Sequence, residues 1–61
     1  MRYVIMVQNG RFIIESGFIG YSTGTVMEAT KFNTKKEAQK FFTRNSVSST
    51  FIGAKIVEID F

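Results

Sequence analysis

The chain has 61 residues, a net charge of +3, seven phenylalanines, two tyrosines, and neither cysteine nor histidine. One domain fits that length, and a domain this small buries only about 60% of the surface its unfolded chain exposes. Without Cys or His, disulfides are excluded, and so in practice are a zinc site and a histidine-activated nucleophile. The mild positive charge falls short of the dense basic face of a dedicated DNA binder.

Small domains that lack staples usually self-associate, and the aromatic content exceeds what one helix can cover, so a homodimer is expected. The longest apolar run, Tyr3 to Val7, is far short of the roughly 20 residues that span a bilayer. The N-terminus shows no signal-peptide core. These features predict a soluble, cytoplasmic protein with no membrane contact.

Arg2 to Gln8 reads as a strand with Tyr3, Ile5 and Val7 on one side and Val4 and Met6 on the other. A strand apolar on both faces belongs in the middle of a sheet. Asn9-Gly10 predicts a tight hairpin of type I′, and Arg11 to Glu15 is the returning strand. Next comes Gly17-Phe18-Ile19-Gly20-Tyr21-Ser22-Thr23-Gly24-Thr25, read as a long glycine-rich bend. Its glycine spacing matches neither the dinucleotide fingerprint nor a P-loop. A strand is expected to follow at Thr25 to Thr30, so no helix N-terminus is available to hold a phosphate.

Thr34-Lys35-Lys36-Glu37 is a capping box that opens a helix over about Lys35 to Arg44. Ala38, Phe41 and Phe42 fall on its apolar face, and Asn45 suits a left-handed residue at its end. Ala54 to Phe61 alternates as a fourth strand. The order β-β-β-α-β predicts a small α+β domain with a four-stranded, mostly antiparallel sheet of order 3-2-1-4. A right-handed crossover would place strand four parallel to strand one. The helix covers one face, and a second copy of the chain is expected on the other.

Few residues carry chemistry. Glu58 and Asp60 share a strand face, but two carboxylates alone make a poor magnesium site, so no metal, no cofactor and no enzymatic activity are expected. Lys36, Lys40 and Arg44 recur at i, i+4 and i+8, a row of about 12 Å that with Lys35 could meet an acidic protein or a nucleic-acid backbone. Phe18, Ile19 and Tyr21 are large apolar groups in a surface segment, which marks them as partner contacts. Tyr3, Ile5, Val7 and Phe61 are the candidates for the dimer interface.

The opening Met1-Arg2-Tyr3-Val4-Ile5, the Asn9-Gly10 hairpin, and Lys31-Phe32-Asn33-Thr34-Lys35-Lys36-Glu37-Ala38 leading into Ala54-Lys55-Ile56-Val57-Glu58 give a combined pattern. In style and length it resembles the small β-rich accessory proteins carried by phages and prophages of Gram-positive bacteria. The resemblance implies a protein that acts by binding in the host cytoplasm: inhibiting a host protein such as a component of antiphage immunity, sequestering a signal nucleotide at a dimer interface, or modulating nucleic-acid machinery. It transfers no functional residue.

Overall fold

The computed structural model describes residues 1–16 and 20–60. Its elements are β1 (Arg2–Met6), β2 (Phe12–Ser16), β3 (Gly20–Gly24), α1 (Lys35–Arg44), a single 3-10 turn η1 (Ser49–Phe51) and β4 (Lys55–Ile59). The strands form one sheet in the expected order β3-β2-β1-β4. Helix α1 also falls where the capping box and apolar spacing put it. The Glu37 N–H donates to Thr34 Oγ1 at 3.2 Å, and the Thr34 hydroxyl donates to the Glu37 carboxylate at 3.3 Å. Ala38 and Phe41 are buried beneath it, with Phe42 rotated to the side and half-buried.

Three expectations about the strands need correction. The third strand is Gly20–Gly24, not Thr25 to Thr30, and every strand pair is antiparallel, β1 with β4 included. The Asn9-Gly10 hairpin is not type I′, because Asn9 does not have positive φ. The Gly10 N–H closes a turn onto the Val7 carbonyl at 3.0 Å, Gly10 takes φ +85°, and the Val7 N–H meets the Arg11 carbonyl at 2.8 Å. That is a three-residue hairpin with a glycine bulge.

The reason β4 runs antiparallel lies in residues 30–32. Strands β1 and β2 pair only at Met6 and Phe12, beside the hairpin, and then part. The chain after β3 passes through the opening. The Thr30 N–H donates to the Ile13 carbonyl at 3.1 Å, Thr30 Oγ1 accepts from the Glu15 N–H at 2.6 Å, and Phe32 exchanges both backbone hydrogen bonds with Tyr3 at 2.8 and 2.9 Å. The Tyr3–Phe32 bridge is antiparallel, so this strap delivers the chain to the start of β1. A ten-residue helix spans about 15 Å and carries it back to the far end of the sheet. Strand β4 therefore starts opposite Met6, at Lys55, and must run antiparallel to β1.

The core lies between the sheet and the helix. Ile5, Val7, Ile13, Phe41 and Phe51 form one buried cluster, with Tyr21, Phe32, Phe42, Ala54 and Ile56 packed against it. Phe51 comes from η1, and its ring meets Tyr21 and Phe42 edge-on at 5.2 and 5.4 Å. At its C-terminus α1 is capped by the Asn45 side chain, which donates to the Phe41 carbonyl at 2.9 Å. Asn45 sits at φ −108° rather than in the left-handed region expected for it.

The face away from the helix is partly covered by the chain itself. Val4 is 0% exposed there. Gly24 opposes Phe12, which opposes Met6, so all three lie on the Val4 face. A Cβ on Gly24 would come within 2.7 Å of Ile14 Cδ1 and 2.8 Å of Glu28 Oε1. The turn over residues 25–29 thus folds across this face, with Ala29 buried and Glu28 accepting from the Thr25 N–H and hydroxyl, both at 3.2 Å. A second copy of the chain is therefore not needed to bury Val4 or Ala29 on this face. Thr30→Val keeps the strap's shape but removes the acceptor for the Glu15 N–H, and should cost about 1 kcal/mol. Thermal unfolding should register this as a Tm lowered by roughly 4–8 °C.

Candidate interaction surfaces

Helix α1 has two solvent-facing flanks, and the structure divides its cations between them. Lys36, Lys40 and Arg44 line a groove on the strap side together with Glu15, Phe32 and Phe41. Lys35 lies on the other flank, in a groove shared with Phe42, Ala54, Lys55 and Ile56. The four residues expected to make one basic face therefore belong to two sites. Arg44 is already engaged within the chain. Its guanidinium lies 4.0 Å from the Glu15 carboxylate and 5.4 Å from the centre of the Phe41 ring. Phe32 is the residue that helical periodicity could not place here: the strap brings it to the Lys36–Lys40 row from outside the helix.

Tyr21, expected as a partner contact, is a structural residue. Its ring packs edge-on against Phe51, and its hydroxyl hydrogen-bonds the Ser48 hydroxyl. That bond, with a second from Thr50, holds the Tyr21 pKa below the ordinary tyrosine value. The effect ties the start of β3 to the loop between α1 and β4. Phe18 and Ile19, the other two expected contacts, lie outside the described residues, as does Phe61.

The remaining dimer candidates are also relocated. Ile5 and Val7 are enclosed in the chain's own core under α1, and Tyr3 is half-buried and paired on both sides. Ile5 and Val7 therefore present no surface to a second copy. A larger set of accessible apolar residues lies on the other face of the sheet. Met6, Phe12, Ile14, Val57 and Ile59 are each half-buried there. Met27, at the tip of the turn that crosses this face, is 75% exposed. Two further apolar side chains, Val47 and Ile52, project from the α1–β4 loop, whose buried Phe51 holds it to the core.

Among the described residues no group of three or more acidic, His or Cys side chains converges as a metal site, and Glu58 and Asp60 gain no third ligand. No helix among them is long and apolar enough to cross a membrane. No protein-family model matches the sequence, no curated protein matches it, and no solved structure matches the fold.

Tyr21→Phe removes the bond to Ser48 and should lower stability at neutral pH by about 1 kcal/mol. Because the folded state holds this phenol's pKa down, the ionised form adds stability only as pH rises through the folded pKa towards the unfolded value of about 10. The difference between wild type and Tyr21→Phe in urea unfolding should therefore widen on going from pH 7 to pH 10.

Proposed function

We propose that the protein is a non-catalytic binding module that engages another protein through the sheet face opposite α1. The observation that carries this reading is the apolar patch of Met6, Phe12, Ile14, Val57 and Ile59, bordered by the highly exposed Met27. Contiguous apolar surface on a small domain marks an interaction site, and methionine suits a surface that adapts to its partner. The resemblance to phage-carried accessory proteins makes a bacterial host protein, such as an immune component, the class of partner to seek. Inhibition would follow from occlusion, because the module supplies bulk and adhesion rather than chemistry.

A second reading is favoured by one arrangement, the Phe32 ring beside Lys36 and Lys40. A half-buried aromatic next to a cation row is a surface for a single nucleic-acid strand. The carboxylate of Glu15 against Arg44 opposes it, since it cancels one cation of the row.

Met27→Asp combined with Met6→Gln should abolish stoichiometric recovery of a partner from host lysate while leaving Tm within a few degrees of wild type. Undiminished recovery by the double variant would remove the sheet face from consideration. For the nucleic-acid reading, Lys36→Gln with Lys40→Gln should flatten the dependence of log K on log salt by about 0.7 per lost phosphate contact on single strands. Wild-type binding that ignores salt, or no binding at 50 mM salt, excludes it.

A further inference from the structure

The ladder geometry fixes which backbone groups of β4 face outwards. In an antiparallel pair, residues alternate between pointing their N–H and C=O at the partner strand and pointing them away. Tyr3 directs both groups at Phe32, on the strap side. Arg2, Val4 and Met6 therefore direct theirs at β4, where they oppose Ile59, Val57 and Lys55. It follows that Ile56 and Glu58, the residues between, aim their N–H and C=O at the open edge. No backbone partner for either occurs among the described residues. Strand β4 is the last in the sheet on that side.

Beside this edge, on the helix face, runs the groove of Phe42, Ala54 and Ile56 with Lys35 at its rim. The strand itself reads Lys55-Ile56-Val57-Glu58-Ile59, with a cation at its start and a carboxylate near its end. Lys55 shares the Met6 face and Glu58 the Tyr3 face, so these two charges do not meet across a seam; in an antiparallel copy the cation that Glu58 approaches is Lys35 at the groove rim.

We propose that β4 is the seam of a homodimer, two copies pairing antiparallel edge to edge about a two-fold axis through Val57. In this register Ile56 opposes Glu58 of the second copy and Glu58 opposes its Ile56. All the outward-facing N–H and C=O groups of both residues then find partners, and Val57 opposes Val57, whose backbone groups point inwards. Shifting the register by two residues leaves only one such pair centred on the axis, Ile56 with itself or Glu58 with itself, and the latter sets like charges against each other. The axis is perpendicular to the sheet, so each face continues into the same face of the second copy. On the helix face, Glu58 enters the groove of the second copy opposite its Ile56, within reach of its Lys35. On the other face, Val57 meets its twin, and Ile59 lies along the aliphatic stem of Lys55. Edge pairing of this kind removes the exposed ladder that an end strand otherwise offers to any passing chain. This inference does not depend on the partner-binding reading, which uses Met6 and Met27 rather than the edge.

Sedimentation of the full chain should show a dimer at micromolar concentration. Glu58→Pro removes an outward N–H without touching a β1–β4 hydrogen bond, a placement that an edge strand tolerates. It should weaken dimerisation at least tenfold, whereas Met27→Asp should not. Amide exchange in the wild-type dimer supplies a readout that needs no variant: the Ile56 and Glu58 N–H groups should be protected, and should lose protection on dilution, while Lys55 and Val57 stay protected throughout. A monomer at 100 µM overturns the proposal. So does a dimer in which the Ile56 and Glu58 amides exchange as freely as exposed ones, or one that Met27→Asp disrupts and Glu58→Pro does not. If Glu58→Pro fails to fold, the exchange pattern decides alone.

Discussion

The strap across the split between β1 and β2 is the constraint on which the rest of this molecule depends. Two strands that part after one pair leave backbone donors and acceptors facing a gap, and unsatisfied buried polar groups are costly. Residues 30–32 fill the gap from both sides, Thr30 serving β2 and Phe32 serving β1. Thr30 is suited to this place because its hydroxyl adds an acceptor for the Glu15 N–H that its own backbone does not reach. The same crossing fixes the direction of everything that follows. It delivers the chain to the start of β1, so α1 runs back along the sheet and β4 enters at the end where β1 leaves.

From that one path the two faces acquire different characters. On the helix side, Phe41 and Phe51 close over Ile5, Val7 and Ile13, and the rings of Tyr21, Phe32 and Phe42 seal the margin. The loop that carries Phe51 is long and polar, yet the Tyr21–Ser48 hydrogen bond and the edge-on ring contact hold it in place. On the opposite side, the turn over residues 25–29 folds back beside Gly24 and Ile14 but is too short to cover the sheet. A residual apolar surface remains there, and an open strand edge remains at β4. In so small a domain the single helix is committed to one face and cannot cover the other.

The helix was legible from residues because both of its determinants are local. The Thr34–Glu37 box sets its start, and the 3.6-residue period sets its inward face. The row of Lys36, Lys40 and Arg44 was legible for the same reason. What its surroundings would be was not. The carboxylate on Arg44 comes from β2 and the aromatic ring beside Lys36 comes from the strap, neither at any fixed sequence distance from the helix. Gly20–Gly24 was obscured differently: glycine is a poor strand former, and here Gly24 answers to close approach by Ile14 and Glu28 while Gly20 answers to a φ of +99°, both set only in the fold. Tyr21 looked like a surface anchor because its partners, Ser48 and Phe51, stand far away in the chain.

A domain without staples, the helix and its cap, three of the four strand positions to within a few residues, and the order of strands in the sheet can all be read along the chain. Those rest on periodicity, capping chemistry and short connections, all of which act between near neighbours. The direction of β4, the side on which the apolar surface lies open, and the identity of the groups that point outwards from the edge are set by long-range contacts in the folded chain. Each of these turns on the strap. Residues 30–32 make hydrogen bonds to two strands that lie 15 or more residues away, and no pattern along the chain records which gap a segment will fill.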